Sequence, residues 1–169
     1  QMLYSVLRAD GCDIEYLQGV VHGVDQDWYH SYWQRKAGCG PSTAANMLRY
    51  LGGRERLPWE TKGRDDAVRL MHRAWQDVTP GMFGLNSPHR FQEGMDALLE
   101  EAGSPLRCRV LEVPKAAGSR PDRQAVADFI AEGLSHDMPV AFLNLHNGSL
   151  LNLERWHWVT LMALDTRDG

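Results

Sequence analysis

The clearest periodic pattern in the chain follows Cys39. Apolar side chains recur there at the i, i+3, i+4 and i+7 spacing that gives a helix one buried face. They are Ala44, Met47, Leu48 and Leu51. Pro41 suits the first turn of this helix, where a missing N–H costs nothing, and Gly52 suits the left-handed residue that ends it. The pattern therefore predicts that Cys39 lies at the start of a helix that runs into the core.

The same periodicities predict three further helices and several strands. The helices run from 65 or 66 to about 78, from 88 to 102 and from about 123 to 135. Period-two or continuous apolar runs predict strands at 2–7, 16–21, 106–113, 139–145 and 156–164. Short strands, then helices, then antiparallel strands predict an α+β fold.

Composition narrows the class of protein. The chain has 169 residues, of which 43% are hydrophobic and 24% charged, as in a globular protein with a full core. We therefore expect a single domain over residues 1–169. The formal charge of −4 argues weakly against nucleic acid as a partner. No apolar run approaches the roughly 20 residues that span a bilayer.

The cysteines and histidines predict no cofactor. Cys12, Cys39 and Cys108 are far apart and contain no CxxC pair, so neither a disulfide framework nor a zinc site is expected. The histidines show no HxxxH or HExxH spacing, which argues against any metal. Sparse unpaired cysteines favour a cytoplasmic location. A chain that starts at Gln1 leaves open a secreted protein whose signal was removed, and the oligomeric state is open.

Cys39 is the first candidate for chemistry. The N–H groups at a helix start have no intrahelical partner and carry partial positive charge, which stabilises a thiolate. We expect the flanking glycines, Gly38 and Gly40, to leave room for a substrate backbone. The alternative for Cys39 is a small buried cysteine in a tight loop. For Cys108, which alternates with Leu106 and Val110 in a strand-like run, we expect a buried structural thiol.

His157 is the second candidate, because a cysteine nucleophile needs a base to take its proton. It opens a predicted strand between two tryptophans, Trp156 and Trp158, which we expect to share the opposite face. Taken alone, a histidine here is more often a hydrogen-bonded core residue. Together with Cys39, it suggests a thiolate–imidazolium pair whose members meet in space.

The Cys-Gly-Pro helix start at Cys39, followed by His-Trp-Val at 157–159, resembles the papain-like cysteine peptidases. The pattern is most similar to the bacterial C39-like group, which is related to the bacteriocin-processing peptidases. The resemblance covers residues 34–52 and 139–165. It implies a papain-like fold, in which a helical part carrying the nucleophile packs on an antiparallel sheet. It also implies Cys39 as nucleophile, His157 as general base and Gln34 as an oxyanion-hole amide, although Gln34 lies five residues before Cys39 rather than six.

The residue that would orient His157 is not evident. Such peptidases use an Asp or Asn some 15 or more residues after the histidine, and this chain ends at Gly169. Asp165 would lie about 26 Å from His157 along the strand, which is too far to orient the histidine unless the strand turns back. Asn144, on the neighbouring predicted strand, is the alternative candidate for the residue that orients His157. We therefore expect a domain that lacks its C-terminal end, a Cys–His dyad or an inactive site.

Three functions remain open at this point. The first is a hydrolase that cleaves peptide bonds in a peptide or protein substrate, and the resemblance implies small residues at the cleaved bond. The second is a catalytically inactive peptide-binding module on the same fold, and the third is a transglutaminase-like acyltransferase. Turnover that depends on Cys39, peptide binding that survives its loss, and incorporation of a labelled amine distinguish the three.

Overall fold

A computed structural model describes residues 2–59, 63–146 and 150–167. Within these ranges the chain combines helices with small antiparallel sheets, as the α+β prediction requires. The helices are α1 (Tyr32–Ala37), α2 (Cys39–Glu55), α3 (Arg64–Asp77), α4 (Pro88–Glu101) and α5 (Arg123–Ser135). The strands are β1 (Leu3–Ser5), β2 (Asp13–Tyr16), β3 (Gly19–His22), β4 (Val140–Asn144), β5 (His157–Leu161) and β6 (Ala163–Asp165).

The helix α2 begins at Cys39, as predicted, and is the centre of the fold. It packs on α3 and on β5, and its apolar face contributes Ala44 and Leu48, which are fully buried. The prediction that Gly52 ends the helix is wrong. The helix continues through Gly52, and the left-handed residue is Arg56, whose φ is 55° and whose N–H bonds to the Gly52 carbonyl.

The other long helices follow their sequence signals. In α4, Ser87 caps the first turn by accepting from the Arg90 N–H, and Pro88 occupies the first helical position. In α5, Asp122 accepts from the Ala125 N–H in the same way. The start predicted for α3, at 65 or 66 with that aspartate as the cap, is wrong: the helix begins at Arg64, and Asp65 and Asp66 lie inside its first turn.

The strands form three two-stranded antiparallel sheets, β1 with β6, β2 with β3 and β4 with β5. The strand predicted at 16–21 is wrong, since that stretch contains the turn of the β2–β3 hairpin. Residues 106–113 are not assigned as a strand and pair with none of the strands described. The long strand predicted at 156–164 divides at Met162, where pairing passes from β4 to β1.

One apolar cluster fills the space between α2, α3 and α4, and Trp158 of β5 closes it. Trp158 stacks on Phe91 with ring centroids 4.5 Å apart and donates its indole N–H to the Leu85 carbonyl. A smaller cluster packs β1 and α5 around Tyr50 on the other side of α2. The core thus fixes α2 against β5, the two elements that carry Cys39 and His157.

Candidate functional site: a polar cavity between α2 and β5

A cavity of about 650 Å³ opens between the start of α2 and β5, and both Cys39 and His157 line it. One wall of the cavity is a second face of α2, which is polar where the first face is apolar. Here Cys39 is followed at i+3, i+4 and i+7 by Ser42, Thr43 and Asn46, which also line the cavity. The segment from Val21 to Gln26 forms a further wall.

The Cys39 sulfur lies between the first turn of α2 and the backbone of β5. Its thiol is 4.0 Å from the Trp156 carbonyl oxygen, and the N–H groups of Trp158, Gly40 and Cys39 itself are directed at it. Burial raises the pKa of Cys39, and these N–H groups only partly offset it, while the Glu154 carboxylate raises it further. The resting thiol is therefore protonated at neutral pH rather than a preformed thiolate.

The glycines beside Cys39 serve packing, contrary to the expectation that they leave room for substrate. A Cβ on Gly38 would lie 2.4 Å from the Gln34 carbonyl oxygen and 2.6 Å from the Tyr29 ring. A Cβ on Gly40 would lie 2.7 Å from the Leu85 side chain. Both glycines are buried, so the Gly-Cys-Gly pattern reflects how tightly the start of α2 fits its surroundings.

His157 is the first residue of β5, and its side chain is 35% exposed. Its Nδ1 lies 3.6 Å from a carboxylate oxygen of Glu154. Within the described part of the chain, neither ring nitrogen bonds to the Cys39 sulfur, although both residues line one cavity. The expectation that Trp156 and Trp158 share a face is wrong. Trp156 precedes the strand with φ of 57° and is half exposed, whereas Trp158 is buried.

Gln34 contacts Ser31 and His72 and is not in position to serve as the predicted oxyanion-hole amide. It is the third residue of α1, and its Oε1 accepts from the Ser31 N–H in a capping box. Its Nε2 lies 3.5 Å from the Nδ1 of His72 on α3. Gln34 is not among the described residues that line the cavity. Cys39 and His157 are thus brought to one cavity, and Gln34 is not.

Two residues lie beside His157 and are candidates to orient it, one directly and one through its neighbour. Asn144 lies directly across from it in the β4–β5 register and donates from Nδ2 to the Glu154 carbonyl at 2.5 Å. Glu154 supplies the carboxylate beside Nδ1. The sequence analysis proposed Asn144 and missed Glu154, which lies in an irregular segment that no periodicity marks. Asp165 is occupied elsewhere, in an ion pair with Arg167.

Comparisons with protein-family models, with curated proteins and with solved structures gave no match to this chain. The site is therefore interpreted from its own residues. Among the described residues, no helix has the length and apolar character needed to cross a membrane.

Proposed function

We propose that this protein is a cysteine peptidase-like hydrolase of the papain-like, C39-like group, with Cys39 as nucleophile and His157 as general base. The observation that carries the proposal is the shared cavity, to which α2 contributes the thiol and β5 the imidazole across 118 residues of sequence. The Cys-Gly-Pro and His-Trp-Val resemblance supports the same pair and the papain-like fold.

The raised pKa of Cys39 determines how the reaction would begin. Because the resting thiol is protonated, His157 takes its proton as the sulfur attacks the peptide carbonyl, so the thiolate forms during the attack. The C–N bond then breaks, and His157 returns the proton to the leaving amine. Water, deprotonated by His157, releases the acyl group from the thioester and restores the thiol.

The developing oxyanion needs donors, and backbone groups are the best placed. The N–H groups of Cys39, Gly40 and Trp158 converge on the sulfur, so a carbonyl carbon attacked by that sulfur would bring its oxygen among them. Gln34 would have to leave His72 to contribute. We therefore assign Gln34 to the start of α1 and the oxyanion to the backbone.

His157 would also have to rotate towards the sulfur. Its Nδ1 faces Glu154, which leaves Nε2 available to the thiol after a change of side-chain rotamer. Glu154 and Asn144 then act as positioning residues, because one holds the ring through Nδ1 and the other holds the Glu154 backbone.

A peptide library tests the proposal. We expect the parent protein to cleave a subset of library peptides, Cys39→Ala to abolish the cleavage, and His157→Ala to slow it strongly. A labelled primary amine included in the same reaction reports acyl transfer instead of hydrolysis. Hydrolysis that continues in Cys39→Ala would exclude the proposed nucleophile.

One observation favours a second candidate, the inactive peptide-binding module. In this structure the Cys39 sulfur bonds to a backbone carbonyl, and the His157 ring makes its contact with Glu154. If this arrangement persists when a peptide is bound, the cavity holds the peptide without cutting it. Peptide binding that survives Cys39→Ala, together with an absence of turnover in the parent, would support this candidate over the hydrolase.

A further inference from the structure

We propose that the edge of β5 facing the cavity binds the substrate peptide as an added β-strand, with the scissile bond at Cys39. The proposal rests on the proposed function for the identity of the reacting bond. Binding of the peptide requires only the uncovered edge of β5 and the cavity beside it, and does not depend on catalysis. Strand addition is a recurrent way to bind an extended peptide, because the main chain supplies affinity whatever the peptide sequence.

The orientation of the β5 backbone follows from its contacts. In an antiparallel pair, alternate residues direct their N–H and C=O groups to opposite edges. The Trp156 carbonyl and the Trp158 N–H both meet the Cys39 sulfur, so they belong to the edge away from β4. By the same alternation, the Trp158 carbonyl and both backbone groups of Thr160 also point to this edge.

Met162, the next residue that points to this edge, confirms the alternation. Val6, which follows β1, donates its N–H to the Met162 carbonyl at 3.0 Å, so β1 covers the edge from Met162 onwards. Between Trp158 and Met162 the edge runs for about 13 Å at 3.3 Å per residue. Over this length, the described residues provide no backbone or side-chain partner for the Trp158 carbonyl or for the Thr160 backbone.

The uncovered stretch lies on the wall of the cavity. Residues 157–160 and Met162 all line it, opposite the polar face of α2. An uncovered strand edge exposes donors and acceptors that pair readily with another chain. Here that edge begins at the candidate nucleophile and ends at β1, so a short extended peptide bound to it would have a carbonyl beside Cys39.

A buried hydroxyl group on the cavity wall points to a polar occupant. The Thr160 Oγ1 is buried and has no hydrogen-bond partner among the described residues. Ser42, which is only 7% exposed, also lines the cavity, and its hydroxyl lies beside the oxygen of the Tyr29 phenol, whose own hydrogen goes to the Met71 carbonyl. Buried hydroxyls are usually satisfied, so a peptide that supplies a partner for Thr160 would remove a cost of the free protein.

The walls also indicate the class of peptide. A cavity of about 650 Å³ is within the usual range for ligand sites. Ser42, Thr43 and Asn46 offer polar contacts and little apolar surface on the α2 side. We therefore expect small or hydrogen-bonding side chains at peptide positions that face α2, and tolerance at the alternate positions that face outwards.

The test uses peptides that differ only in their backbone. An array of random decapeptides is probed with Cys39→Ala protein, and the strongest binder is synthesised with a single N-methyl group at each position in turn. Strand addition predicts a period of two. Methylation of amides directed at β5 weakens binding roughly tenfold, and methylation of the alternate amides changes it less than about threefold.

Variants of the protein provide the second arm. Thr160→Val and Ser42→Ala are expected to weaken binding about fivefold each, because each removes one hydroxyl partner. Thr79→Val, at an exposed position two residues after α3 and outside the cavity, is the matched control and should bind as the parent does. Because the N-methyl scan leaves the protein unchanged, its result does not depend on how well a variant folds.

Hydrolysis of the same peptide by the parent separates the two proposals. A period of two without cleavage supports strand addition and overturns the hydrolase. Cleavage without a period of two overturns strand addition and leaves the hydrolase intact. If no array peptide binds, or if all N-methyl positions weaken binding equally, strand addition is wrong.

Discussion

Two cavities of similar size flank the core, and each contains a cysteine. The cavity of Cys39 has a volume of about 650 Å³, and a second cavity, beneath residues 106–115, has about 640 Å³ and is lined in part by Cys108. The walls of the first are a polar helix face and a strand edge. The walls of the second are mainly apolar side chains of α4, α5 and β4.

The two thiols differ in the groups directed at them more than in their burial. Burial, together with the carboxylate of Asp96 beside the thiol, raises the pKa of Cys108 to about 12. Burial also raises the pKa of Cys39, but three backbone N–H groups oppose the effect. Cavity size therefore does not distinguish the two cysteines, whereas the polar groups aimed at each sulfur do.

The largest expected effect separates the two cysteines by activity. Cys39→Ala should lower peptide hydrolysis at least about a thousandfold, because no other group can form the acyl intermediate. Cys108→Ala should keep turnover within about twofold. Initial rates on one library-derived substrate measure both, and equal losses in the two variants would refute the assignment.

The next effect concerns the base. His157→Ala should lower kcat/KM by about a hundredfold, the usual contribution of a positioned proton acceptor. His89→Ala is the control, since that imidazole lies on α4 beside Glu112 and away from the Cys39 cavity. Steady-state kinetics on the same substrate measure kcat/KM for both variants. A variant at 157 that keeps parental kcat/KM would remove His157 from the mechanism.

A smaller effect is expected in stability at the glycines around α2. Gly38→Ala should lower the free energy of unfolding by about 1 to 3 kcal/mol, because its Cβ would meet a backbone oxygen that cannot easily move. Gly53→Ala is the matched change within α2. There the nearest atoms belong to the flexible Arg8 guanidinium, and alanine favours the helix by up to about 1 kcal/mol.

Urea unfolding of the two variants beside the parent gives the comparison. If Gly38→Ala is as stable as Gly53→Ala, the fit of the α2 start against Gln34 and Tyr29 is looser than the contacts imply.

The smallest effect tests the electrostatics of the thiol. A raised pKa means less thiolate at a given pH, so alkylation of Cys39 should continue to accelerate above pH 9, the usual range for a thiol. Glu154→Gln removes a negative charge that raises this pKa and should shift the profile to lower pH. Because Glu154 is mostly exposed, we expect only about a twofold faster alkylation at pH 8.

Iodoacetamide kinetics followed by peptide mapping measure the reaction at Cys39 separately from Cys12 and Cys108. Equal rates for the parent and Glu154→Gln in denaturant would show that the difference belongs to the fold. A slower native reaction in Glu154→Gln would contradict the stated sign.

Local signals predicted the long elements well. The apolar spacing and the Ser87-Pro88 start define α4, and apolar spacing alone predicted α5 within its observed bounds. The short helix α1 was missed, although its capping box of Ser31 and Gln34 is visible in the sequence.

Signals that depend on distant partners were weaker. Alternating residues at 106–113 predicted a strand, but a strand also needs a neighbour, and the sequence does not say which edge is free. The polar face of α2 is not evident from the sequence pattern, because the apolar face dominates it. Sequence therefore suggested the Cys39–His157 pair, while the uncovered edge of β5 and the position of Glu154 beside His157 became evident only from the fold.

The most direct test of the account is whether Cys39 and His157 act together. The measurement is the second-order rate of Cys39 alkylation by iodoacetamide at pH 7, in the parent and in His157→Ala of unchanged circular dichroism. We expect the rate to fall at least about tenfold without the imidazole, because the protonated thiol then has no base. Equal rates in the two proteins would contradict the pairing on which the proposed function depends.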